Sequence, residues 1–377
     1  MQKLTWARAA AWRAHRQHLV ERAPLGNLHA VASNLCGLHA QVMSSAELTA
    51  WARVERLSRD AVRDALWNDR SFVKTWAMRG TLHLLPASDL PLFHAALAIS
   101  PRYLRPVAWQ NNFGISLEEL DRITQAVGVA LHDRLLTREQ LAVEVGKITG
   151  SAKLAKLLAE SSWGVMLKPA AFTGQLCFGP SEGTRVRFTH PATWAKTRAK
   201  QPKSDDACKE ITRRFLRAYG PATARDLARW WNGGGIVSGR QWIAALGDEV
   251  VEVQVDDTRA WMLASDAKAL RDFQPTKFAR LLPGFDQYVV AASCHVEHLL
   301  PGDLRARIFR PQGWISPVLL VNGMMQGVWR HEMKGSKVLV TVEPFCKIPA
   351  WARREAEREA QRLSQFLGGI LEFKIHE

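Results

Sequence analysis

One plan recurs three times along this 377-residue chain: three helical segments, then two short β-prone runs joined by a tight turn. No other feature restricts the fold as strongly, because a helix-rich unit closed by a hairpin is the plan of a winged helix. In the first unit, helical periodicity over 4–22, 29–41 and 45–69 leads into β-prone stretches at 72–78 and 81–85, with Arg79-Gly80 in the position of a hairpin turn. The second unit opens where Ser116 caps a helix. Thr137, followed by Glu139 and Gln140, starts the next helix, and Ser151 begins the lysine-rich segment Lys153-Leu154-Ala155-Lys156-Leu157-Leu158. Its wing is expected at 172–178 and 185–189, around Gly179-Pro180-Ser181-Glu182-Gly183. A basic linker at 196–203 marks a boundary. Helices at 205–219, 221–232 and 238–246 then precede strands at 249–255 and 259–263, which completes the third unit.

From about residue 277 the chain changes to short β runs with Gly and Pro punctuation, at 288–293, 307–309, 317–321, 327–330 and 337–342. Such spacing predicts a small antiparallel sheet or barrel. The charged stretch 349–367 reads as a long helix and 370–375 as a last strand. The expected fold class is α+β: three tandem winged-helix subdomains plus a C-terminal antiparallel β-barrel. The expected divisions are 1–115 for the first winged helix with its helical connector, 116–197 for the second, 204–265 for the third, and 266–377 for the barrel with its long helix.

Charge narrows the partners. The chain has 51 Lys and Arg against 36 Asp and Glu, a formal net charge of +15, which points to a polyanion, duplex DNA first. Many such side chains simply coat solvated helix faces. Here, however, Lys153, Lys156, Lys168, Arg185, Arg187, Arg225, Arg229 and Arg240 gather near the wings and predicted third helices, where winged helices meet phosphates. Five cysteines, an odd number without a C-x-x-C pair, argue against a disulfide framework and a cysteine zinc site, and imply a reducing, cytoplasmic setting. No apolar run approaches the roughly 18 residues of a membrane-spanning helix, and no signal-peptide core precedes the first charges. No membrane partner is expected.

Several familiar site patterns are absent. Without a G-x-x-x-x-G-K-[ST] motif, Gly233-Gly234-Gly235 reads as a helix terminator, not a phosphate cradle. His295-Val296-Glu297-His298 imitates part of a zinc-deaminase motif but lacks the P-C-x-x-C partner, so no metal is expected there. His39-Ala40-Gln41 places two polar side chains two residues apart at the end of an otherwise apolar helical stretch. On these residues alone, a solvated helix end and a catalytic pair both stay open.

The segment Leu35-Cys36-Gly37-Leu38-His39-Ala40-Gln41, then Trp51-Ala52-Arg53, then Met78-Arg79-Gly80-Thr81-Leu82-His83-Leu84 resembles the AlkZ-like (YcaQ-like) winged-helix DNA glycosylases of bacteria. The resemblance continues through Phe172-Thr173-Gly174-Gln175-Leu176-Cys177-Phe178-Gly179-Pro180, Tyr219-Gly220-Pro221-Ala222-Thr223, Leu281-Leu282-Pro283-Gly284-Phe285-Asp286-Gln287-Tyr288, and Val321-Asn322-Gly323 with Gly327-Val328-Trp329-Arg330. It covers nearly the full chain in the family's order. The resemblance implies three tandem winged helices with a C-terminal β-barrel. It also implies excision of alkylated purines, unhooking of interstrand crosslinks, and in some members self-resistance to a DNA-alkylating natural product. The family's active-site motif is usually Gln-x-Gln or Gln-x-Asp; here His39 stands first and Gln41 second.

These residues fit a monofunctional DNA glycosylase of base excision repair that needs no cofactor. A purine alkylated at N7 or N3 is cationic and departs as a neutral base, so the enzyme has to stabilise an oxocarbenium-like sugar and orient water. The Gln41 carbonyl can accept a hydrogen bond from that water, and neutral His39 can take its proton. No lysine in the motif is placed to form a Schiff base. By resemblance, Arg79, Thr81 and His83 lie on the first wing as DNA-binding candidates, Arg79 either on a phosphate near the lesion or buried and tying the hairpin to the helices; Trp329 and Arg330 close a hairpin that reaches the duplex, unless Trp329 is simply core. Lys153, Lys156, Arg185 and Arg187 are the second unit's expected DNA contacts. The expected partner is double-stranded DNA carrying bulky or small alkyl-purine adducts, bound by a monomer at the nucleoid. The competing class is a non-enzymatic winged-helix regulator or drug-sequestering protein.

Overall fold

Helix starts in the middle of the chain are set by local chemistry. Ser116 and Thr137 each accept a hydrogen bond from the backbone N–H three residues on, while Glu119 and Gln140 reach back to the capping residue's own N–H. These two capping boxes start the helices Leu117–Leu131 and Arg138–Thr149, and the Ser151 side chain caps Ala152–Ala159 in the same way. All three starts match the sequence reading. The computed structural model describes residues 2–99, 106–197, 199–231 and 236–376. Gly233-Gly234-Gly235, read above as a helix terminator, lies outside the described residues.

The chain forms two compact units. Residues 63–211 with 231–234 make one; residues 1–62, 212–230 and 235–377 make the other. The first 115 residues, expected as one subdomain, are therefore shared between the two.

In the 63–211 unit, the hairpin Phe72–Trp76 with Leu82–Pro86 turns through Met78–Gly80, where Arg79 and Gly80 both take positive φ. Strands Cys177–Glu182 and Arg185–Thr189 pair antiparallel and are joined by Leu136–Thr137. His94, on the helix Leu90–Leu97, packs so closely that a Cβ on Gly174 would lie 2.7 Å from its Nδ1. Burial, helped by the neighbouring His190, pushes its pKa down to about 4. The unfolded chain therefore takes up a proton between about pH 6.5 and 4 that the folded chain refuses, so stability falls as pH drops through that window. The expected loss is on the order of 3 kcal/mol by pH 4, and His94→Phe should flatten this slope in urea titrations from pH 7 to 4.

The other unit holds two sheets. Strand Gln2–Leu4 lies parallel to Val250–Val255, which pairs antiparallel with Thr258–Leu263. Leu4, expected as the start of a helix, instead ends the strand Gln2–Leu4, and the helix Trp6–Arg16 begins only after Thr5 caps it and the Asp256 carboxylate accepts from the Trp6 N–H at 3.0 Å. Leu4, Trp6, Ala9, Trp12, Val253, Val255, Met262 and Leu270 form the core between them.

The second sheet has the order Ala279–Leu282, Val318–Val321, Met324–Lys334, Lys337–Pro344, Ile370–Ile375. Among the described residues it is open, which corrects the expected barrel. The last strand runs parallel to its neighbour and is delivered by the long helix Ala350–Leu367, which lies along the sheet strands. Strand Ile370–Ile375 thus ends at the edge opposite Ala279–Leu282, and no pairing joins the two. Two further stretches expected as strands are helical for most of their length: 288–293 falls in Gln287–Ala291 and the turn after it, and 307–308 in Arg305–Ile308, with Phe309 extended and bridged to Ile315. Asp286 accounts for the first, because its carboxylate accepts the Tyr288 N–H at 2.9 Å and caps the helix over the β-branched preference of Val289 and Val290. No helix among the described residues is long and apolar enough to cross a membrane.

Candidate active site

His39 and Gln41 do not sit at a helix end. Helix Leu28–Asn34 stops six residues before Ala40, because Cys36 (φ 59°) and Gly37 (φ 99°) turn left-handed while their N–H groups bond back to Ser33 and Ala32. Glycine is what permits the second of these angles. The chain leaves as the extended pair Leu38–His39, with Gln41 beyond it. His39 is only 5% exposed, whereas Gln41 is exposed. The motif thus pairs an immobilised imidazole with an amide in solvent.

Contacts from distant parts of the chain fix the backbone under this motif. The Tyr219 hydroxyl donates to the Leu35 carbonyl at 2.8 Å, and the Gln287 amide donates to the Gly37 carbonyl at 2.6 Å. Asp286, beside Gln287, receives both arms of the Arg53 guanidinium at 2.7 Å, with both side chains wholly buried. Tyr288 donates to the Gly323 carbonyl at 2.7 Å. Gly323 itself lies so near the helix Trp6–Arg16 that a Cβ would come within 2.6 Å of Ala10. Phe285 (φ 60°) lays its ring on the His39 imidazole, with centroids 5.2 Å apart and planes 11° from parallel. Sequence reasoning gave Phe285, Asp286, Gln287, Arg53 and Tyr219 no role. Their signal was their place inside the resemblance blocks, whose convergence on residues 35–39 only the folded chain reveals.

The His295 Nδ1–H donates to Asp226 at 3.1 Å, and its Nε2 accepts from Arg13, so both ring nitrogens are engaged. Burial alone would raise the Asp226 carboxyl, but its hydrogen bond to His295, the Thr223 N–H and the Arg13 charge bring it down to about 2. Burial and Arg13 hold His295 below the usual imidazole range. Trp6 stacks on both rings, at 4.8 Å and 4.7 Å. Among the described residues, no group of His, Cys, Asp and Glu is arranged to hold a metal ion.

The remaining candidates fall in two places. In the 63–211 unit, Arg79, Thr81 and His83 are wired to one another: His83 Nδ1–H donates to the Thr81 carbonyl at 3.0 Å, Arg79 approaches His83 Nε2 at 3.3 Å, and the Thr81 hydroxyl donates to Met78 at 3.1 Å. His83 is wholly buried. Lys153 and Lys156 are on the surface, 2.8 Å from Glu119 and 3.9 Å from Glu160. Arg185 is exposed, while Arg187 donates to the Pro180 carbonyl at 2.9 Å across the wing. In the other unit, Trp329 lies inside the sheet, 3% exposed, with its indole N–H donating to the Leu282 carbonyl at 2.7 Å. Trp329 and Arg330 sit mid-strand and do not close the hairpin, whose turn is Gly335-Ser336; Arg330 is exposed and pairs with Glu343.

Comparison with known proteins gives the family. A family model described as DNA glycosylase AlkZ-like matches residues 32–366. An interstrand DNA cross-link repair glycosylase of Streptomyces sahachiroi is 34% identical over 369 residues, covering 97% of each chain. The solved structure of the S. sahachiroi DNA glycosylase AlkZ superimposes with a TM-score of 0.89 at 33% identity, over the whole of both chains. With a mixed α/β fold shared end to end and a family match spanning most of its length, the chain belongs to the AlkZ-like family of DNA glycosylases.

Proposed function

We propose that this chain is a monofunctional glycosylase that hydrolyses the N-glycosidic bond of N7- or N3-alkylated purines in double-stranded DNA. The observation that carries this reading is the placement of His39: an imidazole held flat against Phe285, two residues before an exposed Gln41, at the motif position of a glycosylase family. The C1′–N bond breaks with its electron pair moving to the purine, which cancels the positive charge that alkylation placed there. Water adds to C1′ as the sugar becomes cationic. His39 accepts the proton this water gives up, and the Gln41 carbonyl orients the water or faces the developing charge. The formal charge of +15 supports duplex binding through three winged helices, with Lys153, Lys156, Arg185 and Arg187 on phosphates.

A purine bridged through N7 to the opposite strand presents the same cationic leaving group to its own sugar, and the Streptomyces relative's name places it in interstrand cross-link repair. Crosslinks are therefore included among the substrates, and protection of a producer of alkylating agents is the physiological role that fits. Incubating the protein with N7-methylguanine duplex and then heating in alkali should produce strand breaks at the damaged guanines, while uracil-containing duplex stays intact. Binding without breaks would identify a regulator or sequestering protein instead, and efficient uracil release would rule out departure driven by the purine's own charge.

A further inference from the structure

Beyond Phe285 lies a third ring. Trp314 meets Phe285 edge to face, with centroids 5.1 Å apart and planes at 77°, yet half of the indole (50%) stays exposed. An aromatic ladder thus runs from the buried His39 through Phe285 to a large apolar face in solvent. The segment carrying Trp314 is well braced. The Trp314 carbonyl accepts from Arg310 N–H at 2.8 Å, its N–H donates to Pro311 at 3.3 Å, and Gln312 and Gly313 turn left-handed between them. Ile315 bridges Phe309 on the next rung, and its carbonyl approaches Gly284 so closely that a Cβ there would lie 2.8 Å away. The residue before Phe285 and the residue after Trp314 are therefore in direct contact, which fixes the indole relative to the imidazole.

Resting on the glycosylase reading of His39, we infer that Trp314 is the platform on which the damaged purine stacks, and that it selects for cationic bases. An alkylated purine is planar and carries delocalised positive charge, which the face of an indole attracts more strongly than the ring of tyrosine or phenylalanine does. Undamaged neutral bases gain stacking alone. Exposed Arg305, Arg307 and Arg310 on the same segment supply charge for flanking phosphates. The purine stays stacked on the indole while its bond to the sugar lengthens, so this contact holds substrate and transition state alike. Trp314 is accordingly a binding and specificity residue, and its removal should show in half-saturation and leave the bond-breaking rate intact.

The test is single-turnover release of N7-methylguanine from a duplex over a range of enzyme concentrations, beside equilibrium binding of the same duplex without damage. Trp314→Leu should raise the half-saturating enzyme concentration about tenfold, change the maximal rate less than about threefold, and leave affinity for undamaged duplex within about twofold. Trp314→Phe, which keeps a smaller π face, should fall between wild type and leucine. Unchanged half-saturation in Trp314→Leu, with the wild type active, overturns this inference and spares the glycosylase reading. An equal loss of affinity for undamaged duplex, or a fall confined to the maximal rate, overturns it as well. A wild-type chain that releases no N7-methylguanine overturns both.

Discussion

Replacing His39 with alanine is expected to slow single-turnover release of N7-methylguanine by roughly ten- to a thousandfold, and Gln41→Ala should fall in the same range. In the proposed reaction the leaving purine needs no acid, and the protein's part is to supply a proton acceptor for water and a dipole for the sugar. His39 suits the first task because its ring cannot wander: 5% exposure and the parallel Phe285 ring leave it one orientation. Gln41 suits the second because it stands in solvent, where sugar and water can reach it. His39→Gln separates proton transfer from positioning. It keeps a polar group of similar reach, but an amide does not accept a proton near neutral pH. This variant should retain more activity than His39→Ala. Wild-type rates in both alanine variants, with normal duplex binding, would remove His39 and Gln41 from the active site.

The sequence revealed most where structure is decided locally. Ser116, Thr137 and Ser151 were readable as helix starts because a cap and its partner lie within three residues of each other. The end of the helix before His39 was misread although its stop signal, Gly37, was in plain view: the apolar period of Leu35 and Leu38 continued past a backbone that had already turned left-handed. The C-terminal sheet shows a different limit. Periodicity marks strands but carries neither direction nor partner, so the parallel return of Ile370–Ile375 and the resulting open edges could not be read from it. At the site, the motif blocks were visible as separate pieces, but Tyr219 reaches Leu35 across 184 positions and Gln287 reaches Gly37 across 250. Nothing in a single sequence orders such pairs. Trp314 carried no signal at all, since an exposed tryptophan and a buried one look alike until the chain is folded.

Severing the Arg53–Asp286 pair should be the most damaging single change to the fold beneath the site. Both side chains are wholly buried, and the guanidinium also donates to the Thr49 carbonyl at 3.1 Å. A buried ion pair is not in itself a strong stabiliser, because desolvation offsets much of the attraction; removing one partner is costly because the other charge stays behind unpaired. Arg53→Met is therefore expected to cost about 3–5 kcal/mol, read as a lowered urea midpoint. Arg53→Met with Asp286→Asn should recover a large part of that loss, since the asparagine carbonyl still accepts the Tyr288 N–H that starts the helix Gln287–Ala291 and no bare carboxylate remains. Activity should not recover in parallel. Asp286 stands between Phe285, which braces His39, and Gln287, which holds the Gly37 carbonyl, so a loosened residue 286 frees both supports of the imidazole at once. A double variant restored in stability yet still slow on N7-methylguanine would assign the pair to positioning His39. If stability and rate returned together, its part would be in folding alone.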